Sequence, residues 1–124
     1  AAAPLMRVVH CIAPVAYGGG EALLVQLLAE RRAGLDEAVV QLWRSRPFEE
    51  RLRALGVPCP AVTTADLGHG APRAALLAGL ALRPDRLARL AALFARLRPD
   101  AVHAHGFPAV GAALLAGPGA RLVY

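Results

Sequence analysis

Two short stretches of this 124-residue sequence hold residue types that do chemistry at close spacing. The first is Tyr17-Gly18-Gly19-Gly20-Glu21. Consecutive glycines let a backbone approach a ligand closely and expose its amides at a helix start, a geometry that suits phosphate or a sugar hydroxyl. The run is not a G-x-G-x-x-G dinucleotide fingerprint. It is not a Walker A loop either, because the chain has no G-K-[ST] and no lysine at all. The second stretch is His103-Ala104-His105-Gly106. On a strand, residues i and i+2 point to the same side, so the two imidazoles share a face. His105, beside Gly106 at the rim, is expected to face a cleft as a hydrogen-bonding or acid/base group. His103, one pleat deeper, reads as a core histidine. A His-x-His pair also occurs in zinc sites. No third ligand has suggestive spacing here, so no metal is expected. His10 reads as structural and His69, between Gly68 and Gly70, as solvent-facing. No serine sits in a nucleophile elbow, neither cysteine has a motif around it, and no carboxylate pair declares itself.

These stretches need elements to hold them. Met6–Ala13 is a near-continuous apolar run, as in a strand buried on both faces. After a Gly-rich turn, the spacing predicts a helix over 20–33, with Glu21 in its first turn and Gly34 as its stop. Glu37–Trp43 reads as a second strand, Phe48–Leu55 as a helix ended by Gly56, and Pro58–Thr63 as a third strand. Residues 64–73 form a loop and 74–82 a weakly marked helix. Pro84–Leu97 is a firmer helix, with Leu87, Leu90, Phe94 and Leu97 on one face and Pro84 at its first position. Asp100–His105 is a fourth strand, Pro108–Ala116 a small-residue helix and Arg121–Tyr124 the start of a fifth strand. Such alternation implies an α/β fold: a Rossmann-like, doubly wound parallel sheet in the order 3-2-1-4-5, with helices on both faces. In that sheet, ligands bind outside the carboxyl ends of the strands at the switch point between strands 1 and 4. Both chemical stretches fall there.

Composition narrows the classes. The length fits one domain, residues 1–124, and hardly two. Hydrophobic residues make up 56% and charged residues 19%, which argues against intrinsic disorder. The net charge of +5 comes from 14 arginines interleaved with Glu and Asp. The densest stretches, 44–53 and 83–98, read as solvated helix faces, so no nucleic-acid partner is expected. No signal peptide is visible, and the longest uncharged stretch is broken by His, Pro and Gly, which argues against a membrane span. The two cysteines, Cys11 and Cys59, have no paired spacing. The strand order places one strand between them, about 9.6 Å across. That exceeds the roughly 7 Å limit for a disulfide, so both thiols are expected to be free.

Read together, these segments resemble the N-terminal domain of family 4 glycosyltransferases of the GT-B fold. MRVVHCIAPVAYGGGEALLVQLLAE is similar to that family's first β-α unit, whose loop carries G-G-x-E. Gly18, Gly19 and Glu21 match it, with Gly20 at the variable position. LRALGVP (residues 52–58) resembles the segment leading into the family's third strand. RPDAVHAHG (residues 98–106) resembles its R-P-D-[VI]-[VI]-H-[AT]-H segment, with Ala101 the one departure.

The resemblance implies a retaining hexosyl transfer from a nucleotide-sugar donor to a glycan or other acceptor. It implies two Rossmann-like domains, with the acceptor on the N-terminal one and no metal or other cofactor. Carried over, Tyr17, Gly18, Gly19, Gly20, Glu21, His105 and Gly106 would bind substrate, Gly18 and Gly19 as cleft-lining backbone. The family's histidine past strand 5 and its donor domain lie beyond Tyr124. The chain is therefore expected to be an incomplete N-terminal piece, inactive alone, from a cytoplasmic bacterial enzyme compatible with peripheral membrane contact. A homodimer through the strand 5 edge is expected of such a piece. Two alternatives stand beside this reading: another Rossmann-like nucleotide-sugar protein, such as a GT-B epimerase, or a non-enzymatic interaction module.

Overall fold

The structure is a computed structural model that describes residues 5–14, 19–30, 33–63, 83–106, 109–117 and 119–124. Within them the order is β1 (Met6–Ile12), α1 (Gly19–Ala29), β2 (Leu35–Gln41), α2 (Arg46–Ala54), α3 (Pro84–Leu97), β3 (Ala101–His105), α4 (Ala109–Ala116) and β4 (Arg121–Val123). The four strands form one sheet in the order β2-β1-β3-β4, every pair parallel. The expected loop over 64–73, the helix over 74–82 and His69 lie outside the described residues.

Alternation along each strand sorts side chains to the two faces. Val9 and Cys11, Ala38 and Val40, and Val102 and Ala104 pack on one face against Leu90 and Phe94 of α3 and Ala109, Ala112 and Ala113 of α4. Ile12 and Val39 pack on the other against Leu24 and Leu28 of α1 and Phe48 and Leu52 of α2. Helices thus cover both faces, and β1 lies inside the sheet between β2 and β3. The alanines of α4 let that helix lie close to the sheet.

One expectation is corrected. The five-strand sheet has four strands among the described residues. The segment expected as the third strand does run beside β2, but it is reduced to a single bridge, Gln41 to Ala61. The reason is local. Val39 N–H donates to Pro58 O, Gln41 N–H to Pro60 O, and Val62 N–H to Gln41 O. The next rung would need an amide proton from residue 60, and proline has none. The fully buried Gln41 side chain holds this edge instead, donating to Cys59 O and accepting from Ser45 N–H.

Two helix ends fall where the sequence puts them and one does not. α3 starts at Pro84, as expected. α2 ends in a Schellman arrangement: Gly56 N–H reaches Arg53 O and Val57 N–H reaches Leu52 O, with Gly56 at φ +73°. α1 ends at Ala29, short of the expected Ala33. At the amino end of the sheet, Arg7 pairs with Asp36 at 2.9 Å, donates from its guanidinium to Leu97 O at the end of α3, and donates its own backbone N–H to the Asp100 carboxylate. Both cysteines are free thiols, and they pack on opposite faces of the sheet.

Candidate functional site

The carboxyl ends of β1 and β3 lie side by side. In their register His10 faces His103, and Ile12 faces His105. His10, His103 and His105 therefore fall on one face, the α1/α2 side. Their ring centroids are 4.0 to 5.3 Å apart. The His10 Nδ1 lies 3.0 Å from the His105 Nε2, and the His10 Nε2 lies 3.2 Å from Glu37 Oε1 on β2. A carboxylate only accepts, so His10 donates from Nε2 to Glu37. With a proton on Nε2, the His10 Nδ1 can accept from an N–H of His105. A chain of polar contacts thus crosses three strands, from Glu37 through His10 to His105.

Burial is graded along this chain. His10 is buried, while His103 and His105 are half-buried. Burial, with neighbouring His103 and His10 adding to it, lowers the pKa of His105 from 6.5 to about 4. His105 is therefore neutral at physiological pH, with both a donor and an acceptor nitrogen. Burial pushes the thiols of Cys11 and Cys59 up to about 12. Both stay protonated, and neither is a nucleophile.

The glycine-rich stretch lands at the same end of the sheet. Gly19 opens α1, and Gly20 is exposed with open space where a side chain would stand. Glu21 is buried in the first turn. Tyr17 and Gly18 lie outside the described residues. Pro14, two residues past β1, is buried, and its carbonyl accepts the indole N–H of Trp43. Gly106 follows β3 at φ +68°, a conformation that favours glycine, and its carbonyl accepts from Val110 N–H at the start of α4. His105 and Gly106 thus sit at the carboxyl end of β3.

Two sequence expectations change. His103 is not a fully enclosed core histidine but a half-buried neighbour of His105. His10 is not an isolated structural residue; it joins His103 and His105 to complete a three-imidazole cluster, with ligand nitrogens all within 4.8 Å. The missing third ligand was the ground for expecting no metal. The signal was in the sequence: an order placing strand 1 beside strand 4 puts His10 and His103 on adjacent strands.

No protein-family model and no curated protein sequence matches the chain. Solved structures do match. A structure of Anabaena Alr3699/HepE in complex with UDP and glucose superposes with a TM-score of 0.67 at 20% identity, covering 96% of this chain and 29% of that one. A glycosyltransferase from Rickettsia africae gives 0.63 at 11% identity, over 95% and 28%. A UDP-GlcNAc 2-epimerase from Neisseria meningitidis, bound to UDP-GlcNAc, gives 0.56 at 15%, over 90% and 29%. The likeness establishes a shared Rossmann-like α/β fold. The chain spans under a third of the length of each of these proteins. Among the described residues, no helix is long and apolar enough to cross a membrane.

Proposed function

We propose that this chain is the N-terminal, acceptor-side portion of a retaining, family 4 type glycosyltransferase. In the whole enzyme a hexosyl group passes from a nucleotide sugar to a glycan acceptor in the cytoplasm. The observation that carries the reading is the match of nearly the whole chain to one segment of larger proteins, one of them named a glycosyltransferase and two solved with UDP or a UDP-sugar. The motif resemblance of residues 18–21, 52–58 and 98–106 agrees with it in order and position.

In this reading the backbone around Gly18, Gly19 and Gly20 lines the cleft, with the amides at the start of α1 turned to anionic or hydroxyl groups. Tyr17 packs on the acceptor, Glu21 anchors the first turn, and His105 with Gly106 forms the acceptor-side rim. The donor is a substrate, and the reading routes no step of transfer through a metal. One wall of a cleft does not hold two substrates in attack geometry. The 124-residue chain is therefore expected to transfer no sugar by itself.

The test pairs two measurements. Incubated with UDP-glucose or UDP-N-acetylglucosamine and a panel of glycan acceptors, the chain should show no turnover; measurable transfer contradicts the one-wall reading. Amide chemical-shift mapping with the same acceptors should move Gly19, Gly20, His105 and Gly106. An unmoved rim across the panel removes the acceptor-side role. The Neisseria likeness favours a second reading, a piece of a nucleotide-sugar epimerase. That reading predicts rim shifts with UDP-N-acetylglucosamine alone and none with any glycan acceptor.

A further inference from the structure

We propose that His10, His103 and His105 form a binding site for a zinc-class divalent transition metal, with a fourth coordination position open to the cleft. Three observations carry it, and none depends on the glycosyltransferase reading. The first is convergence: one ring nitrogen from each histidine lies within 4.8 Å of the other two. Tetrahedral Zn–N bonds of about 2.0–2.1 Å place nitrogens roughly 3.3–3.4 Å apart. The His10 Nδ1 and His105 Nε2 already stand at 3.0 Å, so an ion between them needs only a small opening of that pair.

The second is the support behind the ligands. A ligating histidine characteristically donates its other ring N–H to a carboxylate, which fixes its tautomer and raises its basicity. Glu37 holds His10 in this way, through Nε2 at 3.2 Å. The Nδ1 of His10 is thereby left as the metal-facing atom. When the ion binds, it takes the place of the proton between His10 and His105, and that proton moves to His105 Nδ1, so His105 ligates through Nε2 as a neutral imidazole.

The third is placement on rigid elements. His10 and His103 are register partners on neighbouring parallel strands, and His105 lies two residues on along the same strand. Ligands on paired strands are held to within a fraction of an ångström, which loops rarely manage. His103 and His105 are half-buried, so solvent or a substrate oxygen reaches the fourth position. An all-imidazole set suits Zn, Cu, Fe or Ni and does not suit Mg or Ca, which take oxygen ligands.

Cobalt(II) is the probe, because four-coordinate cobalt absorbs strongly in the visible. The tag-free 124-residue chain, stripped with EDTA, should take up one equivalent of Co²⁺ with tetrahedral bands. It should show no thiolate-to-cobalt charge-transfer band, and Zn²⁺ should displace the cobalt. His103→Gln and His105→Gln replace half-buried side chains, and circular dichroism checks that each variant is folded. Each should weaken binding at least tenfold. Glu37→Gln, which leaves all three ligands in place, should weaken it about 10- to 100-fold. No binding by the parent chain overturns the proposal. So does a thiolate band, or parent-like affinity in both histidine variants. These outcomes leave the acceptor-mapping experiment unaffected.

Discussion

His105 illustrates how position sets a residue's chemistry. Its pKa falls from 6.5 to about 4 because burial and the neighbouring imidazoles His103 and His10 oppose a positive charge. The unfolded chain therefore takes up that proton more readily than the folded one. Stability from this site is complete above about pH 6.5 and is lost as the pH falls toward 4. With chelator present, midpoints of urea unfolding should drop across that window, and His105→Gln should flatten the drop. A midpoint that rises on acidification contradicts the assignment. Gln41 makes a second residue-scale case. It is fully buried, and its carbonyl oxygen accepts the amide of Ser45 at 3.1 Å. Gln41→Leu keeps the bulk but leaves that amide unpaired, at a cost of about 1–3 kcal/mol in denaturant unfolding. The lone imidazoles show the limit of single-residue reading: His10 looks structural until the strand beside it is known.

At the scale of elements, much was legible because the governing physics is local. The apolar run of β1, the amphipathic spacing of α3 and the stop signal at Gly56 depend on near neighbours in sequence, and the structure follows them, whereas α1 ends at Ala29, ahead of the stop expected at Gly34. The expected strand over 58–63 shrinks to a single bridge for a reason equally local. Its apolar residues flank two prolines, and the pattern of hydrophobicity carries no information about missing amide protons. Pro60→Ala supplies the proton that the rung to Val39 O lacks. The added hydrogen bond is worth about 0.5–1.5 kcal/mol. It is set against about 0.4–1 kcal/mol of unfolded-chain entropy that proline had removed. Net stability should therefore change by less than about 1 kcal/mol, while the new amide at position 60 becomes protected in hydrogen exchange. Rapid exchange at that amide contradicts the reading. The glycine-rich stretch was legible as a motif, yet only Gly19, Gly20 and Glu21 of it fall in the described residues.

At the scale of the whole molecule, the sheet order decides what can meet. Parallel strands joined by helices bring residues about 95 positions apart in sequence, His10 and His105, into contact. Composition and periodicity do not contain such a pairing; topology does. Among the described residues the same order makes β4 an outer strand, with its Val123 and the following Tyr124 exposed. Unpaired strand edges invite pairing with a second chain. The isolated 124-residue chain should therefore self-associate, with an apparent mass that rises with concentration in light scattering. A constant monomer mass at high concentration contradicts this.

The Arg7 cluster adds a different consequence. Its pair with Asp36 is more than a third exposed on both sides, so dissolved ions screen it readily. His105, beside the far end of β1, answers to protons instead. One strand thus carries two fasteners of unlike sensitivity, an ionic clasp at its start and a protonatable one toward its finish. Brine should loosen the amino end and leave the cleft in register, whereas acid should do the reverse. Amide exchange at Leu97 and Asp100, compared with that at His103 and His105, would report the two ends separately.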